Sequence, residues 1–160
     1  MAHNAQRISE HLMSTWQFLS GESRPFAPLP GEAPPPYLNH GFYLPIDIQG
    51  TGTHCGVAVL LCHDDAIAAA THMLGMAASD LSEADVNDAC SEVCNVLSAS
   101  AFPELSESNH LSIGLPVALD ATGYADTHRS SRLAAAYQSQ HAGKSLYVMV
   151  YEPIVPAAAV

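Results

Sequence analysis

The chain has 160 residues, enough for one domain with a sizeable core. Its hydrophobic share of 48% is ordinary for a soluble globular protein, and no apolar run is long enough to span a bilayer. The chain has five Lys and Arg against sixteen Asp and Glu, so its surface repels the phosphate backbone of nucleic acids. We expect neither nucleic acid nor an anionic membrane as a partner.

Residues 1–43 predict a helix followed by an extended arm. Four apolar side chains recur at helical spacing: Ile8, Leu12, Trp16 and Leu19. Gly21 is a plausible stop, and we expect the helix to pack on the main body. Seven prolines in residues 21–45 exclude a regular helix or a central strand there, so we predict an arm or long loop. The first residues lack the features of a secretory signal, so we expect a cytoplasmic protein.

The next segment predicts a hairpin and a helix. Residues 44–61 favour two antiparallel strands with a turn at Gly50–Thr53 and a possible bulge at Gly56. His63-Asp64-Asp65 is expected to supply an N-cap and early acidic charge for a helix that runs through Leu74, and Gly75 is its stop signal.

A second helix is predicted from Ser82 to Ala101, with Pro103 just beyond it. Residues 111–119 favour a strand, in which Pro116 indicates an edge position or a kink.

The remaining residues are mixed. Residues 120–131 are polar and loop-like, and residues 133–138 fit a strand or a short helix. Alternating apolar residues predict a strand at 144–152. We therefore predict a main domain at 44–152 and a disordered tail at 153–160.

The helix at 82–101 separates its residues into two faces. Its core face carries six small or apolar side chains: Val86, Ala89, Cys90, Val93, Cys94 and Leu97. Asp88, Glu92 and Asn95 follow one another at spacings of four and three on the opposite side, and Ala99 extends that ridge. Any amphipathic helix has a polar ridge, so the spacing by itself assigns no function.

The ridge resembles a known signature. Asp88-x-x-x-Glu92-x-x-Asn95, followed after twenty intervening residues by Pro116, resembles the pattern of the CheC/CheX/FliY chemotaxis phosphatases. The glycine-bearing segment 52–59 and the strand segment 112–116 also resemble the family. A single copy of the motif favours the CheX type. The family often has Gly where Ala99 stands.

The resemblance implies dephosphorylation of the aspartyl-phosphate of a CheY-like response regulator, a hydrolase activity in two-component signalling. Asn95 would hold the attacking water, and Glu92 would pair with the regulator's active-site Lys. Asp88 would support the helix or the interface, Ala99 would let the partner come close, and Pro116 would shape a neighbouring strand. No cofactor of its own is expected, because Mg²⁺ would be held by the partner regulator.

The implied fold is α+β, a two-layer sandwich in which two main helices pack on one face of a largely antiparallel sheet. The resemblance also implies a homodimer through sheet edges, for which an exposed final strand at 144–152 would be suited. The alternative function is a non-catalytic CheX-like domain that binds a receiver or a scaffold.

The nine His and four Cys suggest a metal site as a rival hypothesis. The candidates, His54-Cys55, Cys62-His63 and the pair Cys90 and Cys94, lack the spacing of recognised zinc sites, so we expect no metal and reduced thiols. No nucleophile elbow of the Gly-x-Ser-x-Gly type supports a serine hydrolase.

Overall fold

The computed structural model describes residues 2–31, 33–48, 53–105 and 110–154. Its helices are α1 (Ala2–Ser20), α2 (His63–Leu74), α3 (Glu83–Ser100) and α4 (Ala121–Ser130). Its strands are β1 (Ala27–Pro28), β2 (His40–Ile48), β3 (Thr53–Leu61), β4 (Leu111–Ile113), β5 (Val117–Ala118), β6 (Ser131–His141) and β7 (Lys144–Pro153). Within these ranges, none of the helices has the length and apolar character needed to cross a bilayer.

The strands form one sheet in the order β1-β6-β7-β3-β2-β4, and β5 also pairs with β2. Every pairing between described strands is antiparallel. Helices α1, α2 and α3 pack against one another over one face of this sheet and enclose the main core. The predicted α+β class, with helices on an antiparallel sheet, is confirmed.

Helix α1 belongs to the main core. The apolar stripe that predicted it is buried at all four positions: Ile8, Leu12, Trp16 and Leu19. The helix therefore packs on the main body, as expected. The proposed division at residue 44 stays a prediction, and most of the predicted tail, residues 155–160, lies outside the described residues.

Pro45 lies inside β2, which pairs with β3 on one side and with β4 and β5 on the other. β2 begins at His40, so the expectation that the proline-rich segment 21–45 contains no central strand was wrong for its last residues. The Pro45 carbonyl accepts from the Gly114 N–H at 2.9 Å. Because the N–H and C=O of a strand residue point to the same side, the donor that proline lacks would face the gap between β4 and β5. Pro45 therefore removes no hydrogen bond from the pairing between β2 and β3.

The predicted β2–β3 hairpin is confirmed, although residues 49–52 of its turn lie outside the described residues. The bulge suggested at Gly56 is wrong, because Gly56 pairs regularly with Pro45 and Tyr151. A Cβ on Gly56 would come within 2.2 Å of the Tyr43 ring, so glycine is needed there to let the ring cover the strand. The observed irregularity lies in β6, between Leu133 and Ala135.

A buried arginine fixes the proline-rich arm to the rest of the fold. Arg24 Nη1 donates to Asp65 Oδ1 of α2 at 2.7 Å, and both side chains are fully buried. The same guanidinium donates to the Ser139 hydroxyl and carbonyl of β6 and to the Lys144 carbonyl of β7. One side chain thus ties the arm to a helix and to two strands.

The arm and α4 cover much of the opposite face of the sheet, which no sequence pattern predicted. The residues that form this second apolar cluster are Ala58, Leu60, Tyr124, Ala136, Tyr147, Met149 and Tyr151, with Leu29, Tyr37 and Leu38 of the arm packed against them.

Residues 120–131 are mostly the helix α4, so the prediction of a loop was wrong. Asp120 caps the helix by accepting from the Gly123 N–H at 2.7 Å. Tyr124 is buried and its hydroxyl donates to the Pro35 carbonyl at 2.6 Å, while His128 meets the Tyr151 hydroxyl at 3.1 Å. Packing on the sheet outweighs the weak helix propensity of this segment.

The final strand is central. β7 pairs with β6 on one side and with β3 on the other, so the expectation that residues 144–152 form an exposed edge was wrong. Residues 133–138, left open between strand and helix, belong to β6. The predicted strand at 111–119 divides into β4 and β5 on either side of Pro116. Of the two alternatives, an edge or a kink, Pro116 lies at a break in the outer part of the sheet.

Candidate functional site

Helix α3 forms where its periodicity predicts it, and all six predicted core residues are buried. It packs mainly against α2, α1 and β2. Its start is fixed by a reciprocal capping box: the Ser82 hydroxyl accepts from the Asp85 N–H at 3.1 Å, and the Asp85 carboxylate accepts from the Ser82 N–H at 2.9 Å. The N–H of Ser82 lowers the pKa of Asp85, so the box persists at neutral pH.

Ser82→Ala removes one half of this capping box. We expect the thermal midpoint to fall by about 2–4 °C, because loss of a cap serine weakens the first turn of α3. Circular dichroism melting measures the effect. Ser79→Ala, which alters an exposed serine outside the box, is the matched control, and an equal fall in both variants would contradict the capping role.

The ridge of α3 faces solvent along its whole length. Asp88, Glu92, Asn95 and Ala99 are all exposed, and each follows the previous one by three or four residues. Glu92 and Asn95 are separated by roughly 4.5 Å along the helix axis. Neither side chain has a hydrogen-bond partner in the part of the chain that the structure describes. Both therefore present unused polar groups to an incoming molecule.

Pro116 does not belong to the ridge. It is half-buried in the break between β4 and β5, on the side of β2 that faces away from β3. The four ridge positions lie together on α3, and Pro116 bends the edge of the sheet. This placement is compatible with the structural role implied for it, which stays a prediction.

Two of the four candidate cysteines, Cys90 and Cys94, are poorly suited to act as nucleophiles or metal ligands. Cys90 and Cys94 lie in the core, and burial raises the pKa of each thiol to about 12. All four cysteines are free. Thiolates at these two positions are therefore rare at neutral pH.

The histidine candidates form pairs. His40 Nε2 lies 3.1 Å from His63 Nδ1, with the ring planes 22° apart. His54 contacts Asp47 on the surface of the hairpin. Across residues 2–31, 33–48, 53–105 and 110–154, no three His, Cys, Asp or Glu side chains gather in a way that could hold a metal ion.

One neighbour of the ridge was not predicted from the sequence. The N-terminal half of α1 lies beside the C-terminal end of α3, and a groove of about 730 Å³ separates them. Arg7 and His11 line one wall and Ala99 lines the other. This contact joins residues that are far apart in the chain, so no local pattern could reveal it.

Comparison with known families shows to which protein family the chain belongs. The family described as "Chemotaxis phosphatase CheX" matches residues 46–138, which is more than half of the chain. The chain belongs to the CheX family. The match includes the whole of α3 and Pro116, so every residue of the predicted signature lies within the part that the CheX family shares.

Solved structures show that the CheX fold extends over nearly the whole chain. The chemotaxis protein CheX of Vibrio vulnificus is 15% identical with a TM-score of 0.62, and the alignment covers 93% of this chain and 95% of that one. The CheX–CheY–BeF₃–Mg²⁺ complex of Borrelia burgdorferi matches with 10% identity and a TM-score of 0.68, over 92% and 96% of the two chains.

The same fold occurs in a protein with another name. The middle domain of FliM from Helicobacter pylori matches with 10% identity and a TM-score of 0.52, over 95% of this chain and 88% of that one. Identities this low show only the fold, so any catalytic role depends on the residues of the ridge. The search of curated proteins finds no match.

Proposed function

We propose that this chain dephosphorylates the phosphoaspartate of a CheY-like response regulator, with the ridge of α3 as its docking and catalytic surface. The observation that carries the proposal is the exposure of Glu92 and Asn95, one turn apart, in a member of the CheX family. Neither side chain has a hydrogen-bond partner among the residues that the structure describes. The complex from Borrelia burgdorferi supports it, because its CheX component has this fold and is bound to CheY.

Asn95 would supply a side chain that holds the attacking water at the phosphorylated receiver. Hydrolysis of an acyl phosphate needs a water molecule in line with the breaking bond, together with charge stabilisation on the phosphoryl oxygens. A carboxamide offers a donor and an acceptor, so it can hold that water in one orientation. The Asn95 amide is free to enter the receiver's site because it is exposed at mid-helix. Mg²⁺ would be held by the receiver and not by this chain.

Glu92 would fix the docking geometry. Its exposed carboxylate can pair with the active-site Lys of the receiver, and this pairing would place Asn95 one turn further along the same face. Asp88 would support the interface from the turn before. The small Ala99 leaves room for an approaching helix or loop. We expect the encounter to take place in the cytoplasm.

Assembly is a separate prediction. A homodimer is expected from the family resemblance, but the observed sheet leaves β7 no free edge. Any pairing through sheet edges would involve the outer strands of the sheet, such as β4 or the incompletely covered β6. Light scattering of the purified chain would measure the oligomeric state.

The second candidate is a domain that binds a receiver without catalysis. Ala99 favours it, because the extra methyl group at a position where relatives often have Gly can hold the partner slightly away. The test is phosphate release from a phosphorylated CheY receiver, run beside binding to the same receiver loaded with beryllofluoride. Accelerated release supports the phosphatase, binding without acceleration supports the second candidate, and the absence of both contradicts the two proposals.

Glu92→Ala should weaken association with the receiver more than it lowers the rate of phosphate release within the bound complex. The carboxylate contributes a charge pair to docking, whereas the water is held by Asn95. We expect the Kd for a beryllofluoride-loaded receiver to rise about tenfold. Isothermal titration calorimetry measures it, with Glu83→Ala, another exposed Glu of α3, as the matched control. An unchanged Kd in Glu92→Ala would contradict the pairing.

A further inference from the structure

The groove between α1 and α3 continues the ridge. Its walls include the exposed residues Arg7, His11 and Ser14 of α1 and Ala99 of α3, together with the buried Ser100 of α3. Ala99 is the last position of the ridge, so a molecule that covers Glu92 and Asn95 also reaches the mouth of the groove. The ridge and the groove are thus one continuous surface built by two helices.

The α1 wall is held in place relative to α3. Ile8 and Leu12, which flank the lining residues, are buried in the main core. The Thr15 and Ser100 hydroxyl groups form a hydrogen bond of 3.1 Å between the two helices. A side chain on this wall therefore has a defined position with respect to Asn95, as a docking contact requires.

Arg7 has a charge that the described part of the chain does not neutralise. The other four cationic side chains each lie near a carboxylate: Arg24 near Asp65, Arg129 near Asp126, Arg132 near Glu152 and Lys144 near Glu22. Arg7 is exposed and has no such partner among the described residues. The nearby Glu10 carboxylate accepts from Gln6 Nε2 at 3.2 Å instead.

The protein has a net charge of −11, yet Arg7 has no carboxylate partner among the described residues, and it borders the proposed docking surface. Ala99 follows Glu92 by seven residues, roughly 10 Å along α3, and Arg7 of α1 lines the same groove as Ala99. The surface therefore has a negative charge at Glu92 and a positive charge at Arg7. A partner with a positive and a negative group at the matching positions can dock in only one orientation.

We propose that Arg7 is a docking contact for the receiver and pairs with a carboxylate at the rim of the receiver's phosphorylation pocket. This inference rests on the proposed function and names a feature of the partner: an acidic side chain that reaches the α1–α3 groove when the receiver's Lys meets Glu92. Arg7 acts as a positioning residue, because it touches neither the phosphoryl group nor the attacking water.

The test compares charge changes at Arg7 with identical changes at Arg129. Arg129 is exposed on α4, against the opposite face of the sheet, so Arg7→Gln and Arg129→Gln alter the net charge equally. We expect Arg7→Gln to raise the Kd for a Mg²⁺–beryllofluoride-loaded CheY receiver about three- to fivefold, and Arg7→Glu to raise it tenfold or more. Both Arg129 variants should stay within about twofold of the parent chain.

Two further readouts separate docking from a structural effect. Arg7→Gln should raise KM more than it lowers kcat, and it should reduce the dependence of association on salt. Circular dichroism should be unchanged, because Gln and Arg have similar helix propensities.

Equal Kd values for the Arg7 and Arg129 variants would overturn the inference. If the parent chain still binds and dephosphorylates the receiver in that experiment, the proposed function is unaffected. A parent chain that neither binds nor dephosphorylates the receiver would overturn the proposed function, and the inference with it.

Discussion

Asn95→Ala is expected to abolish the acceleration of receiver dephosphorylation while leaving the fold unchanged. Without the carboxamide, no group on the exposed ridge can hold the water with both a donor and an acceptor. Misplacing a reacting group by about 1 Å costs on the order of 10²-fold in rate, so a loss of at least that size is expected. Phosphate release at a saturating concentration of the variant measures it.

The same variant should remain as stable as the parent chain. Asn95 is exposed and makes no internal hydrogen bond in the described structure, and exposed substitutions of this kind change stability by about 0.5 kcal/mol or less. Asn87→Ala is the matched control, because Asn87 is an exposed asparagine of α3 that lies off the ridge. Equal rates for Asn95→Ala and the parent chain would remove the proposed role of the amide.

Arg24→Met is expected to cause the largest loss of stability. The substitution leaves the fully buried Asp65 carboxylate without its 2.7 Å partner and removes the hydrogen bonds to Ser139. Breaking a buried ion pair in this way costs about 3–5 kcal/mol. Lys144 Nζ lies 3.8 Å from the same carboxylate and would compensate for part of the loss. Urea unfolding measures the free energy.

The exposed pair of Arg132 and Glu152 provides the control. Its charged groups are 2.9 Å apart, but both are accessible to water, so Arg132→Met should cost about 1 kcal/mol or less. The Arg24→Met/Asp65→Leu double variant should recover stability, because an apolar pair leaves no buried charge. If Arg24→Met lowers the free energy of unfolding no more than Arg132→Met does, the buried pair does not anchor the arm.

The helix that carries the site could be predicted because its sequence encodes it locally. Apolar residues at helical spacing fix its buried side, Ser82 and Asp85 fix its start, and the exposed positions of the ridge follow from these. The family resemblance then suggested the chemical role proposed for Glu92 and Asn95, which periodicity cannot supply.

The second layer could not be predicted in the same way. The segment that forms α4 has few apolar residues, and its helix depends on contacts with distant parts of the chain. Tyr124 hydrogen-bonds to Pro35 of the arm and to Met149 of β7, and His128 contacts Tyr151 of β7. One signal was present in the sequence: the continuous apolar run from Leu146 to Tyr151 is typical of a strand buried on both faces. The central position of β7 explains that run.

The groove beside the ridge depends entirely on tertiary structure. It exists because α1 contacts the end of α3, where the Thr15 and Ser100 hydroxyl groups meet across 85 positions of sequence. Arg7 looks like any exposed helix residue until this packing is known. The proposed docking surface is therefore predictable along α3 but not across to α1.

A crystal structure of this chain bound to a Mg²⁺–beryllofluoride-loaded CheY receiver tests the account most directly. We expect the Asn95 amide within roughly 2.7–3.2 Å of a water in line with the beryllium–aspartate bond, and the Glu92 carboxylate against the receiver's Lys. A complex in which the receiver contacts another surface, with Glu92 and Asn95 still facing solvent, would contradict it.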